Sequence, residues 1–229
     1  MLHGMPAAVE ELRERLAPAP GRELLPVAAP LDALFPGGGL ARGTVVAVEG
    51  SVWLALGVVA RASSDAGSWC AVVGMRDLGP AAAAEMGIDL NRLVLVPSPG
   101  EQWATAVAAL LDGVDIVLVR AVRDVRPAEA RRLAARARER RSVLLVVGAP
   151  WPESVDLRLR VTDTEWTGLH SGYGRIAARH CRVSARGRGA AARERRVTAS
   201  LPELGAPPAV VARATPLPAG GAPATPVPA

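Results

Sequence analysis

From Thr44 onward the chain alternates short apolar, β-branched runs with stretches in which apolar residues return every three or four positions. Thr44–Glu49 reads as a buried strand and Trp53–Ala66 as a helix. Ser68–Val73 is a second strand, followed by a short helix over Pro80–Met86 that Gly87 stops. Leu93–Val96 is a third strand, ended by Pro97 and Pro99. Glu101–Asp112 is a helix with Trp103, Val107, Leu110 and Leu111 on one face. A fourth strand follows over Asp115–Val119. The helix Pro127–Arg140 turns Ala130, Leu133, Ala134 and Ala137 inward and its arginines outward, and Val143–Val147 is a fifth strand. Strands separated by helices predict an α/β domain of three layers, with a mostly parallel central sheet covered on both faces.

The texture differs on either side of this region. After Pro152, the segments Leu157–Trp166, Arg175–Ser184 and Arg195–Ser200 read as strands with no helices between them. They predict an antiparallel extension at the C-terminal edge of the sheet, with Arg186 to Gly189 as a hairpin loop. Residues 1–20 suit a short amphipathic helix, with Val9, Leu12 and Leu16 on one side. Residues 17–43 are rich in Pro and Gly and read as loop. Residues 21–200 form the core domain, and 201–229 are almost all Pro, Ala, Gly and Val, a composition that suits a disordered tail.

Composition narrows the function classes. The chain has 229 residues, half of them apolar, enough for one mid-sized core. No apolar run reaches the roughly 18 residues of a membrane span. No basic segment followed by an apolar stretch marks a signal peptide, so a cytoplasmic protein is expected. Cys70 and Cys181 lie in separate apolar runs and are expected as buried, inert thiols. His3, His170 and His180 form no ligand pattern, so no metal site is expected. The formal charge is +5, and all 27 basic residues are arginine. The basic excess permits contact with nucleic acid or an acidic protein without requiring either.

The missing lysine bears directly on the place where a parallel sheet binds its ligand, the carboxyl ends of the strands. The first strand, turn and helix read VAVEGSVWLALG from Val46 to Gly57. A working phosphate loop needs glycines to wrap the phosphates in backbone N–H groups. It also needs a lysine to reach the outer phosphates and a Ser or Thr for magnesium. Gly50 opens the stretch in the right place, but Val52, Trp53 and Leu54 replace the flexible and charged part, so that Gly50, Ser51, Val52, Trp53 and Leu54 make a degenerate loop. Arginine fits such a cradle poorly, because its planar fork is wider than an ammonium. At the end of the Asp115–Val119 strand, where a carboxylate would hold magnesium, stands Arg120. The phosphate loop and the magnesium position are thus both degenerate. No nucleotide cofactor and no catalysis are expected.

The order of these features resembles the RecA recombinase core. Leu31–Gly43 (LDALFPGGGLARG) is similar to the lead-in to the phosphate loop. Cys70–Val73 (CAVV), Met86–Leu93 (MGIDLNRL), Pro99–Gln102 (PGEQ) and Val114–Val119 (VDIVLV) follow in the same order over about residues 24–200. Two departures stand out. Gly74, Met75 and Arg76 occupy the stretch that in RecA supplies the water-activating acid, although Asp77 is close by. The long DNA-binding loop after the fifth strand is replaced by a short passage through Trp151. Chains with these losses resemble the ImuA family, particularly its actinobacterial branch. The resemblance implies a RecA-like fold and a non-catalytic adaptor in damage-induced mutagenic translesion synthesis, the DNA-repair response linked to SOS induction. Its partners would be an ImuB-like Y-family polymerase relative and an error-prone polymerase. The alternatives are a cell-division inhibitor similar to SulA, a weak DNA-binding module, or a RecA-like protein with residual ATP binding.

Few side chains are candidates for contact with a partner. Trp53 is expected to fill the vacated phosphate pocket as core, with a partner contact as the alternative. Trp103 is expected in the core. Trp151, between two prolines, is harder to bury and is a candidate interface anchor. Arg182–Arg196 holds six arginines and one glutamate. Such a run can guard an edge strand from aggregation. Alternatively Arg186, Arg188, Arg195 and Arg196 contact a phosphate backbone or an acidic partner.

Overall fold

The computed structural model describes residues 24–120, 124–148, 150–170 and 173–201, with the backbone alone at 166–170, 173–179 and 201. The N-terminal helix expected over 1–20 and the tail over 202–229 lie outside the described residues. In chain order the strands are β1 (Leu24–Pro26), β2 (Gly39–Ala41), β3 (Val45–Glu49), β4 (Cys70–Val73), β5 (Leu93–Val96), β6 (Ile116–Val119), β7 (Val143–Val147), β8 (Leu157–His170), β9 (Tyr173–Gly187) and β10 (Arg195–Leu201). The α-helices are α1 (Val52–Ser64), α2 (Pro80–Glu85), α3 (Trp103–Gly113) and α4 (Pro127–Arg140).

Eight strands form one sheet in the order β10-β9-β8-β3-β7-β6-β4-β5. Strands β3 to β7 are parallel neighbours, as the alternation of strand and helix requires. Every residue of β4, β6 and β7 is buried, which is why these strands read as unbroken apolar runs. The expected C-terminal extension is present with one correction. β8 pairs with β3 in parallel register, and antiparallel pairing begins only between β8 and β9 and continues to β10. The hairpin strands are also longer than their apolar alternation suggests. Arg186 and Gly187 belong to β9 rather than to a loop, and the turn to β10 carries a short 3-10 segment over Gly189–Ala191.

Two cores lie on opposite faces of the sheet. On one face α3 and α4 pack Trp103, Val107, Leu111, Leu133 and Ala137 against Val73, Val117, Val119 and Val146. On the other, α1 packs Leu54, Leu56, Val58 and Val59 against Val46, Val72, Leu118 and Leu145. Helix α1 is apolar almost all round because it is covered twice, by the sheet and by the segment that precedes β3. That segment is not plain loop. β1 and β2 pair antiparallel, β1 lies against α1, and the turns between them bury Leu31, Leu34 and Phe35 in the same core, against β10. Its apolar residues are interrupted by Pro and Gly, so neither period registers in the sequence. Among the described residues, no helix is long and apolar enough to cross a membrane.

Two local constraints fix how the layers meet. At the amino ends of the strands, the fully buried Asp115 pairs with Arg42 at 2.7 Å and accepts a hydrogen bond from the Trp69 N–H at 2.9 Å. One carboxylate therefore ties the β2–β3 turn, the start of β4 and the start of β6. At the edge, Gly187 lies so close to β8 that a Cβ there would stand 2.0 Å from the Asp156 carbonyl oxygen.

Asp115→Asn removes the charge facing a guanidinium that is itself only 7% exposed. It should cost about 3 kcal/mol in urea unfolding, with much of the loss recovered in the Arg42→Met/Asp115→Leu double variant. An unchanged midpoint for Asp115→Asn would refute the tie. Gly187→Ala should cost about 2–3 kcal/mol, because the clash is with backbone and cannot be relieved by a rotamer change. A thermal melt of the single variant checks it.

Candidate functional site

The carboxyl ends of β3, β4 and β6 meet above the start of α1. Gly50 leaves β3 with φ +83°, a left-handed conformation that favours glycine, and so turns the chain into the helix. Ser51 is the N-cap of α1, and its Oγ accepts from the Leu54 N–H at 3.1 Å. The Ser51 hydroxyl thus holds the helix end; the position at which phosphate-loop spacing places a metal-binding hydroxyl is Gly57. Leu54 is buried in the core below. Trp53 is 40% exposed, which corrects the expectation that it fills the vacated pocket as core. At the second position of the helix its side chain points out over the cradle rather than down into the sheet.

Trp53, Val52, Leu56, Met75, Leu78 and Ala82 line a groove of about 210 Å³, with Asp77 and Arg120 at its polar end. The backbone N–H of Arg120 continues the sheet by donating to the Val73 carbonyl at 2.9 Å. Its guanidinium lies 3.9 Å from the Asp77 carboxylate. Asp77, the acid nearest the position of a water-activating carboxylate, thus faces the arginine that stands at the magnesium position. The groove is apolar with one exposed aromatic, and among its lining residues the cation is the Arg120 guanidinium. That combination suits a protein side chain better than a triphosphate.

No pattern along the chain singles out Glu49, the last residue of β3. The sheet register places it beside Arg160 of β8, and its carboxylate binds Arg160 Nη2 at 2.7 Å and also Arg158 Nη1. Burial tends to raise the Glu49 pKa, but the hydrogen bonds and charges of Arg158 and Arg160 outweigh it and hold the carboxyl below the usual glutamate range. Only strand order could have revealed this cluster, because its members lie more than 100 positions apart in sequence.

The other candidates separate on the structure. Trp151 is 5% exposed and packs into the core beneath α4, so it is not a surface anchor. The nine-residue passage from β7 to β8 folds its ring inward although prolines flank it. Trp103 is fully buried as expected. Arg188 pairs with Asp156 at 2.9 Å and donates to Ser154, which makes it a brace between the β9–β10 turn and β8. Arg195 donates to the Ala190 and Arg193 carbonyls within its own turn. Arg196 pairs with Glu194 at 2.7 Å, and Arg186 stands exposed on β9. Both cysteines are buried and unpaired by disulfide. Burial, reinforced by the Asp115 charge, pushes the Cys70 thiol up to about 12.

Fold and site together define the class: a three-layer α/β domain with a mostly parallel central sheet, an antiparallel extension at its C-terminal edge and a groove at the carboxyl ends of β3, β4 and β6. The chain belongs to the family described as MT3502 N-terminal domain, which matches residues 33–153, from the buried turn before β2 to just short of β8. It is 37% identical over 187 residues to the uncharacterized protein Rv3395c of Mycobacterium tuberculosis (strain ATCC 25618 / H37Rv), covering 77% of this chain and 87% of that protein. Among solved structures it is similar to the RadB recombinase, with a TM-score of 0.46 and 17% identity over 68% of this chain and 86% of that one.

The Glu49 cluster carries a pH signature. Because the folded carboxyl is depressed, its stabilisation is fully present above the unfolded pKa and is lost as pH falls through the folded value. Glu49→Gln should therefore lower stability at pH 7 by about 0.5–1 kcal/mol. The variant and the parent should converge as the buffer is taken below about pH 4. Thermal midpoints across that range check it, and a constant difference at all pH values would show that the pairing contributes nothing.

Proposed function

We propose that this protein is a non-catalytic, cytoplasmic accessory factor of damage-induced mutagenic translesion DNA synthesis. It would act as an adaptor between an ImuB-like Y-family polymerase relative and an error-prone polymerase complex. One observation carries the reading. In a RecA-like domain the nucleotide cradle is the place of highest constraint, and here it presents an exposed tryptophan over an apolar groove. The chain has no lysine to supply the phosphate contact, and Arg120 would repel the magnesium that phosphoryl transfer needs. Trp is the residue most favoured as a binding anchor, and an apolar groove with one polar end accepts an amphipathic segment of a partner. The identity of the partner comes from the ImuA-like order of motifs, not from the groove itself.

The test is co-purification with the ImuB-like protein of the same organism, comparing wild type with Trp53→Ala. Wild type should retain the partner, and Trp53→Ala should weaken binding by tenfold or more, the scale of a lost aromatic anchor. Phosphate release from ATP should stay at the level of a Gly50→Val variant. A wild type that retains no ImuB-like protein would overturn the adaptor reading. Release of phosphate above that control would overturn the non-catalytic one.

A further inference from the structure

We infer that the outer face of β8–β9–β10 binds the phosphodiester backbone of duplex nucleic acid without reading its sequence. The two faces of this extension are opposite in character. Leu157, Leu159, Cys181, Val183, Ala185 and Ala199 point to one side and are buried against the core that holds α1 and the β1–β2 segment. The alternate residues point to the other side, where α3 and α4 cover only the neighbouring half of the sheet. There Arg158, Arg160, Arg182, Arg186 and Arg196 stand on three adjacent strands.

Register arranges these side chains in rows. Arg158 lies directly opposite Arg186, and Arg160, Ser184 and Arg196 follow one another across the three strands. Protection of a sheet edge does not account for this. The edge strand is β10, whereas Arg158, Arg160, Arg182 and Arg186 sit on β8 and β9, each of which has a strand on both sides. Two like charges directly opposite on neighbouring strands cost stability. The local acids offset this only in part. Glu49 serves both Arg158 and Arg160, Glu194 serves Arg196, Asp163 is 3.5 Å from Arg182, and Glu165 stands exposed one pair further along the same face. Among the described residues no carboxylate pairs with Arg186. A bound polyanion would supply the missing charge.

The chemistry of the face selects the polyanion. Rows about 4.8 Å apart, with residues about 6.7 Å apart along each strand, form a grid of bidentate donors. Ser184 and Thr198 add hydroxyls between the arginines. Arginine and hydroxyl donors are the usual partners of phosphate oxygens, whereas a docked acidic peptide would also need apolar anchors, which this grid does not offer. No Phe, Tyr or Trp is among the described residues of the face. It therefore lacks a platform for unpaired bases and should not favour single strands. The inference does not depend on the adaptor reading, because the face is separated from the Trp53 groove by the sheet itself.

The test is fluorescence anisotropy of the full chain with a labelled mixed-sequence duplex, titrated from low to moderate salt. With five phosphate contacts, log affinity should fall with log salt at a slope of about −4 to −5. The Arg182→Gln/Arg186→Gln/Arg196→Gln variant should flatten the slope by about three and weaken binding at least tenfold. Arg186→Gln alone should flatten it by about one, which covers the event that the triple variant does not fold. Arg131→Gln/Arg132→Gln on α4 should leave the slope unchanged. No duplex binding at low salt, or a slope that ignores the β-face variants, would overturn the inference. So would poly-glutamate binding as tightly as duplex and with the same sensitivity, which would assign the face to an acidic protein. Tighter binding of single strands would overturn the backbone-only mode.

Discussion

A sheet of eight strands must be covered on both faces or present side chains that tolerate water, and this chain has helices enough for only part of that task. α3 and α4 cover one face over β7, β6, β4 and β5, and they leave β8, β9 and β10 open on that side. The opposite face is closed along nearly its whole width, by α1, α2 and the β1–β2 segment, so that even the outer strands bury Val183, Ala185 and Ala199. From this unequal cover follow both textures of the sequence. Where both faces are closed the strands are unbroken apolar runs, and where one is open they alternate. The arginines collect where the helices stop.

The same constraint explains what could and could not be read from residues alone. The parallel strands and their helices were legible because burial on both sides leaves no polar position to confuse the period, as in Ile116–Val119 and Val143–Val147. The pairing of β8 was not, because the character of a strand says whether it is half-covered but not which neighbour it joins or in which direction. β1 and β2 were missed since three residues each are too few to show alternation. The two tryptophans fell on opposite sides of their expectations for one reason. Burial of a side chain at an element's end is decided by the direction in which the chain turns, and neither the turn at Gly50 nor the passage through Trp151 has a periodic signature.

At the candidate site the absences were plain in the sequence and their replacements were not. No lysine exists to find, and Arg120 follows an unmistakable strand. What took over the vacated positions depends on contacts across the sheet. Ser51 caps α1, and Asp77 lies 3.9 Å from the Arg120 guanidinium. At the end of β3, Glu49 lies in a cluster with two arginines contributed by β8. Ser51 and Glu49 are hydrogen-bonded within the protein, whereas Asp77 is almost fully exposed and only within ion-pair distance of Arg120. A catalytic cradle keeps such groups unsatisfied for its ligand, at a cost in stability that only chemistry justifies.

This accounting also separates the two surfaces that remain unsatisfied. With Ser51 and Glu49 paired internally, what the cradle still exposes besides Asp77 and Arg120 is apolar, the Trp53 ring and the groove beneath it. What the extension still exposes is charge in excess of its acids. An apolar groove and an arginine grid recognise different things and sit on opposite faces of one rigid sheet, so occupation of one leaves the other free. A domain built this way can hold a protein segment on one side and a charged backbone on the other without moving any strand. The buried Asp115 tie and the two packed cores hold that sheet as one unit, so the two surfaces keep a fixed relation to each other.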